Sequence, residues 1–213
     1  MADGLPRPRH KWFAALYDRF DRVGESKTLA LRRSLLRGVS GSVLEIGCGT
    51  GKNFEHYDWA QIESLEATEP DPFMLGHARE KLAGLDAMAR SKLTLTEAPA
   101  EGLPFPDERF DVVVSCLVLC TVADPSRSLA EVWRVLKPGG ELRLLEHVAA
   151  EGPWRRVQDA IQPVYGWFAA GCRLDRRTED AVTGAGFTLE VSERPKFSAL
   201  HPAFLGVARK AAS

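Results

Sequence analysis

Val43-Leu44-Glu45-Ile46-Gly47-Cys48-Gly49-Thr50-Gly51 is the stretch that decides the fold. A short apolar run leads into glycines at alternate positions, and Lys52-Asn53-Phe54-Glu55-His56 continues with helical spacing. The pattern predicts a strand, a tight loop and a helix. Glycine tolerates positive φ and carries no Cβ, so a ligand at the carboxyl end of the strand can touch the loop backbone. The dinucleotide pattern G-x-G-x-x-G needs a glycine where Lys52 stands, which makes a nicotinamide-dependent oxidoreductase the weakest reading. What stands instead is acidic-x-Gly-x-Gly-x-Gly. A second apolar run then ends in Ala67-Thr68-Glu69, where a carboxylate can accept hydrogen bonds from both hydroxyls of a ribose.

The two acidic residues and the glycine loop resemble the class I S-adenosylmethionine (SAM) methyltransferases. The resemblance implies an α/β, Rossmann-like, doubly wound sheet of seven mostly parallel strands ending in a C-terminal antiparallel hairpin. It also implies SAM as cofactor and S-adenosylhomocysteine as product. Carried over residue by residue, Glu45 faces the methionine end through water, Gly47, Cys48, Gly49, Gly51 and Asn53 underlie the donor, and Glu69 takes the ribose. Pro70 and Met74 line the adenine, a backbone amide at Ala100 next to Glu101 reads its edge, and Cys116 belongs to the same donor site. The family often carries Asp where Pro99 stands. Proline has no N–H, so an amino contact there has to come from elsewhere.

The 213 residues are 45% hydrophobic and 27% charged, which suits a single globular domain with a sizeable core. Lys and Arg number 28 against 29 Asp and Glu, so the basic excess of a phosphate-binding face is missing and a nucleic-acid partner is not expected. Cys48, Cys116, Cys120 and Cys172 show no C-x-x-C spacing, so no metal site and no disulfide framework are expected. They fit a reducing cytoplasm. No apolar run in the sequence reaches membrane-spanning length, which leaves peripheral membrane contact as the most that is expected. The oligomeric state is left open.

Residues 1–11 read as a disordered tail with a basic cluster at Arg7, Arg9, His10 and Lys11, and residues 12–213 as one domain whose lid helices span about 12–40. Trp12, Phe13, Leu16, Tyr17 and Phe20 recur at helical spacing. Tyr17-Asp18 resembles the Tyr-Asp segment of quinone and related small-molecule methyltransferases, which implies a lid with Tyr17 approaching the SAM carboxylate. Leu29 to Leu36 continues as helix.

Downstream, Phe110 to Cys116 is near-continuously apolar, as a strand buried on both faces should be. The DNA and protein-amide methyltransferases end this strand in Asn or Asp followed by Pro-Pro-aromatic. Here Ser115-Cys116-Leu117-Val118 stands, so a small, partly apolar acceptor fits better. A helix starting at Pro125 is expected to stop at Lys137-Pro138-Gly139-Gly140. The next strand brings Glu146 and His147 to its carboxyl end, and His147 is a candidate base or orienting group. A further helix carries Gln158, Gln162 and Tyr165 and ends at Gly171-Cys172-Arg173-Leu174. Strands near 187–191 and 204–208 complete the sheet.

Leu117-Val118-Leu119-Cys120, Glu146-His147-Val148, Gln158 and Gly171-Cys172-Arg173-Leu174 together resemble the methyltransferase-like 7 group, the microsomal thiol methyltransferases. That resemblance implies S-methylation of a small thiol, with Cys120, His147, Gln158, Tyr17 and Cys172 as candidates to border the acceptor. Its members begin with an apolar anchor that residues 1–11 do not show, so a soluble cousin is expected. A quinone, phenol or phospholipid acceptor is the alternative reading, and a non-catalytic SAM-binding partner protein is another.

Overall fold

The computed structural model describes residues 25–168 and 171–212. The expected tail and the aromatic helix with Tyr17 lie outside them. Helix α1 (Glu25–Leu36) leads into β1 (Gly41–Ile46). Then follow β2 (Ile62–Thr68), α2 (Pro72–Gly84), α3 (Ala87–Lys92), β3 (Leu93–Thr96), β4 (Phe110–Cys116), α4 (Pro125–Val135) and β5 (Leu136–His147). The chain closes with α5 (Pro153–Phe168), α6 (Thr178–Gly184), β6 (Thr188–Glu193), β7 (Lys196–Ser198) and β8 (His201–Arg209).

The strands order as β3-β2-β1-β4-β5-β8-β6, with β7 paired to β8. Strands β1 to β5 pair in parallel, and β8 runs antiparallel between β5 and β6. Winding reverses between β1 and β4, and in an open sheet the crevice at the carboxyl ends forms at that reversal. Alternate residues feed two cores. Leu44, Val113, Leu129 and Leu142 pack on one face, while Val43, Val114, Leu35 and Leu205 pack on the other. Period-two alternation between two apolar layers is why β1 and β4 read as unbroken apolar runs.

The expected doubly wound sheet with its antiparallel end is present, and it gains an eighth strand in the three-residue β7. Three details differ from expectation. Residues 52–56 form only a 3-10 turn at Phe54–His56, because Tyr57 must leave helical geometry to put its hydroxyl on Glu45, 2.8 Å away. Lys137-Pro138-Gly139-Gly140 ends α4 but lies inside β5: Leu136 already pairs with Phe110, and the register shifts before Glu141 pairs with Val112. Helices α3 and α6, of 6 and 7 residues, were not foreseen, being too short to show a period. Asp86 caps the first by accepting from the Ala89 N–H at 2.8 Å.

Candidate active site

Glu45 is the penultimate residue of β1 and is buried. Its two carboxylate oxygens accept from Asn53 Nδ2 at 2.9 Å and Tyr57 Oη at 2.8 Å. Arg32 of α1 donates to Asn53 Oδ1 at 2.7 Å and reaches Cys116 Sγ at 3.2 Å. Burial pushes Glu45 up to about 7, and the Tyr57 and Asn53 hydrogen bonds and the Arg32 charge pull against it. Burial likewise pushes the Cys116 thiol up to about 11 and Cys48 well above its ordinary value. Both thiols are neutral at physiological pH, which suits packing rather than nucleophilic roles.

The loop beyond Glu45 turns on Gly47, Gly49 and Gly51, at φ of 58°, 59° and 78°. A Cβ on Gly47 would lie 2.8 Å from both Val118 methyls, and one on Gly51 would lie 2.4 Å from the Phe54 ring. These two glycines let the loop pack against the protein. Gly49 is different, because a Cβ there would meet only Met74 Cε, at 3.6 Å. The loop face between Met74 and Glu69 is therefore open to a ligand. At the end of β2, Glu69 accepts from Gly49 N–H and from Asp71 N–H, each at 2.9 Å. Those bonds fix its carboxylate plane beside the open face. Pro70 leads into α2, whose cap Asp71 accepts from Phe73 N–H and Met74 N–H and so holds Met74 over the loop. Ala100 is buried in the 98–102 turn. Glu101 turns its carboxylate to Ala123 N–H at 2.7 Å and Asp124 N–H at 3.3 Å, ahead of α4. A carboxylate for the ribose, an open glycine face and an apolar shelf at Met74 are the parts SAM needs, and the residues present fit it.

Across the crevice, β4 ends in a left-handed residue, Leu117, at φ 61°. That is an uncommon conformation for leucine, and it has a structural return. It turns the N–H groups of Val118, Leu119 and Cys120 onto the Glu146 carboxylate, at 2.9, 3.1 and 3.3 Å, and Ser115 Oγ joins them at 2.7 Å. Glu146 is fully buried, and burial raises its pKa against these hydrogen bonds.

The turn that Glu146 holds presents Cys120 to His147. His147 Nδ1 lies 3.9 Å from Cys120 Sγ and 3.8 Å from Cys172 Sγ. The hydrogen bond with Cys120 holds the Cys172 thiol below its ordinary range and raises Cys120, while His147 and Arg176 also favour a Cys172 thiolate. Arg176 donates to the Leu119 carbonyl and, at 2.5 Å, to the Val122 carbonyl, so a guanidinium brackets Cys120. Gln158 engages backbone at both ends of its amide, accepting from Ala150 N–H at 2.7 Å and donating to the Leu200 carbonyl at 2.9 Å. It sits near the predicted acceptor side as a tie between loops. Gln162 clamps the Cys172 turn in the same way.

The structure thus groups Glu45, Asn53 and Cys116 in one polar network, places Glu69 and Met74 on the open loop face, and gathers Cys120, His147 and Cys172. Tyr17 lies outside the described residues. Arg32, Tyr57 and Arg176 were not foreseen as part of the site, and Glu146 was foreseen only as the neighbour of His147 at the end of its strand. A basic residue on the inner face of α1 and an acid closing an apolar strand were the available signals. Neither signal names its partner.

A family model described as "Methyltransferase domain" matches residues 44–144. The human thiol S-methyltransferase TMT1B is 34% identical over 209 residues, covering 92% of this chain and 84% of that protein. A phosphatidylethanolamine N-methyltransferase from Cereibacter sphaeroides is 33% identical over 188 residues, covering 84% of this chain and 86% of its own length. Among solved structures, YcgJ of Bacillus subtilis superposes with a TM-score of 0.71 at 16% identity, over 88% of this chain and 100% of that one. The glycine loop with its two carboxylates and these likenesses lead to one conclusion: the chain belongs to the class I SAM-dependent methyltransferases, close to the group that contains the TMT1 enzymes.

Proposed function

We propose that the enzyme methylates the sulfur of a small thiol. The observation that carries this reading is the 34% identity to a thiol S-methyltransferase along 92% of the chain. Bound SAM supplies an activated sulfonium methyl for in-line displacement. The protein's own part is to bind, orient and exclude water. Glu69 holds the ribose, and the Gly47, Cys48, Gly49 and Gly51 backbone lies under the methionine. Glu45, with Asn53 and Cys116 behind it, faces the methionine ammonium. Pro70, Met74 and the Ala100–Glu101 turn flank the adenine. Tyr17 belongs to a lid over residues 12–40, within one domain spanning 12–213, and Arg32 carries that lid's polar tie to the donor site.

The acceptor lies at the carboxyl ends of β4 and β5, against Cys120 and His147, with Gln158 fixing the loop behind. The packing of Val118 on Gly47 supports this placement, because it sets the Cys120 turn directly on the donor loop. Four free cysteines suit a reducing cytoplasm. No helix among the described residues is long and apolar enough to cross a membrane. The second reading, N-methylation of an ethanolamine phospholipid, is favoured by the likeness to the Cereibacter enzyme.

The deciding experiment incubates the protein and methyl-labelled SAM with thiols, phenols, quinols and phosphatidylethanolamine vesicles, and identifies labelled products by mass spectrometry. Labelled thioether is the expected product. Label only in lipid, phenol or quinol would overturn the thiol assignment.

A further inference from the structure

Two buried cysteines packed as small apolar side chains need no imidazole nitrogen aimed between them. Here His147 Nδ1 stands 3.9 and 3.8 Å from the two sulfurs, and all three donor atoms lie within 4.8 Å of one another. A tetrahedral zinc ion with sulfur at about 2.3 Å and nitrogen at about 2.0–2.1 Å has donor-to-donor edges of roughly 3.5–3.8 Å. The two His147 spacings reach that geometry with shifts of a few tenths of an ångström, and the two sulfurs, within 4.8 Å of each other, close by at most about 1 Å.

The three side chains come from three separate segments, and each is fixed by its backbone. The Cys120 N–H donates to Glu146 and the Cys120 carbonyl accepts from Arg173 N–H at 2.8 Å. The Cys172 carbonyl accepts from Gln162 Nε2 at 2.9 Å. The His147 carbonyl accepts from Thr178 Oγ1 at 3.2 Å, and its backbone pairs with Ala203 of β8. Ligands held this way suffer little loss of freedom on binding an ion. Charge also fits, since two thiolates, a neutral imidazole and a divalent ion sum to zero in a pocket where Cys120 and Cys172 are buried.

We infer that Cys120, His147 and Cys172 are the protein ligands of a tetrahedral site for a thiophilic divalent ion, zinc above all, whose fourth position receives the sulfur of the acceptor. Its use in methylation rests on the thiol reading above, whereas the metal site itself does not. Three protein ligands leave one position open, the arrangement of catalytic rather than structural zinc. A thiol entering that position gives its proton to solvent and stays as a thiolate at neutral pH, where a free thiol of pKa about 8.5 is mostly protonated. Its sulfur then forms the new S–CH3 bond as the donor's C–S bond breaks. The thioether, the poorer ligand, leaves. Overall, thiol and SAM give thioether, S-adenosylhomocysteine and one proton.

The test strips the purified full chain of metal under a phosphine reductant and titrates it with Co(II). Binding with sulfur-to-cobalt charge-transfer absorption is expected. Cys172→Ser should weaken it by more than the roughly 10–100-fold that loss of a supporting group costs a metal site, with SAM affinity by calorimetry unchanged as the control for folding. Adding 2-mercaptoethanol should shift the cobalt bands of the wild-type protein, and that measurement needs no variant. Absence of thiolate-to-cobalt absorption in the reduced wild-type protein would overturn the metal site. Bands that ignore 2-mercaptoethanol, or metal-free protein that methylates thiols at the full rate, would overturn the role in acceptor binding. If the bands shift but no thiol is methylated, the metal site stands and the thiol methyltransferase reading fails instead.

Discussion

The donor side of the crevice and the side proposed for the acceptor are built by opposite means. On the donor side, Glu45, Asn53, Tyr57, Gly49, Glu69 and Asp71 meet across sequence separations of 2 to 20 residues. A strand, a glycine loop and the next strand suffice to place them. On the acceptor side, Ser115 meets Glu146 across 31 residues, His147 meets Cys120 and Cys172 across 27 and 25, and Arg176 meets Leu119 across 57. That side exists only once β4, β5 and the 171–176 segment have docked. The donor side is local chemistry on a glycine loop, and the proposed acceptor side is tertiary structure organised by one buried carboxylate.

The sharpest way to break this contrast is to remove that carboxylate. Glu146→Ala strands one hydroxyl and three backbone N–H groups in a dry interior, each unsatisfied donor costing about 1–3 kcal/mol before relaxation. The variant should lose about 3–5 kcal/mol in denaturant unfolding. Glu146→Gln keeps the shape but turns an amide NH2 toward some of the donors, so it should fall in between. Wild-type stability in both variants would mean that the Leu117 turn is held by something other than Glu146.

On the donor side the larger effect should appear in binding rather than stability. Glu69→Ala removes charge-assisted bonds to the ribose hydroxyls, about 1.5–3 kcal/mol or roughly ten- to a hundred-fold in SAM affinity by calorimetry. Unchanged affinity would remove Glu69 from the cofactor site.

What could be read from the sequence follows the same division. The glycine loop, with Glu45 before it and Glu69 at the end of the next strand, was legible because those positions follow from local spacing, and so were the doubly wound parallel sheet and its antiparallel end. The Lys137–Gly140 segment misled because proline and glycines that end α4 also form the irregular start of β5. The 52–56 segment misled because Tyr57 answers to Glu45 rather than to helical period. The partners of Arg32, Glu146 and Arg176 were illegible for a different reason, since a single buried charge has meaning only beside a partner that the fold supplies. C-x-x-C spacing concerns donors within one segment, whereas Cys120, His147 and Cys172 come together from three. Spacing motifs detect only sites built within one segment.

Within the glycine loop the contrast can be sharpened further. Gly51→Ala drives a Cβ into the Phe54 ring and Gly49→Ala brings one only to ordinary contact with Met74 Cε, while both sit at positive φ, where a side chain costs about 1–2 kcal/mol. Gly51→Ala should therefore lose more stability than Gly49→Ala. Gly49→Ala should lose SAM affinity out of proportion to its stability, by about tenfold for a contact worth roughly 1.4 kcal/mol. Thermal melts and calorimetry on the pair separate packing from ligand approach. Equal ratios of the two losses would place the ligand elsewhere.

The smallest expected effect is also the most specific to the donor side. Burial holds Glu45 at about 7 in the free protein, above its ordinary 4.5, so a neutral-pH sample contains both protonated and ionised forms. A raised folded-state pKa makes this residue's contribution to stability fall as pH rises from 4.5 towards 7. SAM brings positive charge towards Glu45, which favours the carboxylate and lowers its pKa in the complex. Binding must then release a proton, and SAM affinity must rise with pH up to about 7 and level off above it. A downward shift of one unit in the complex corresponds to an affinity change of at most about tenfold across that window. Calorimetry in buffers of different ionisation enthalpy should detect the released proton near pH 6.5, and Glu45→Gln should abolish both the release and the slope. A wild-type affinity independent of pH between 6 and 8 would mean that Glu45 serves the loop through Asn53 and Tyr57 and does not sense the donor's charge.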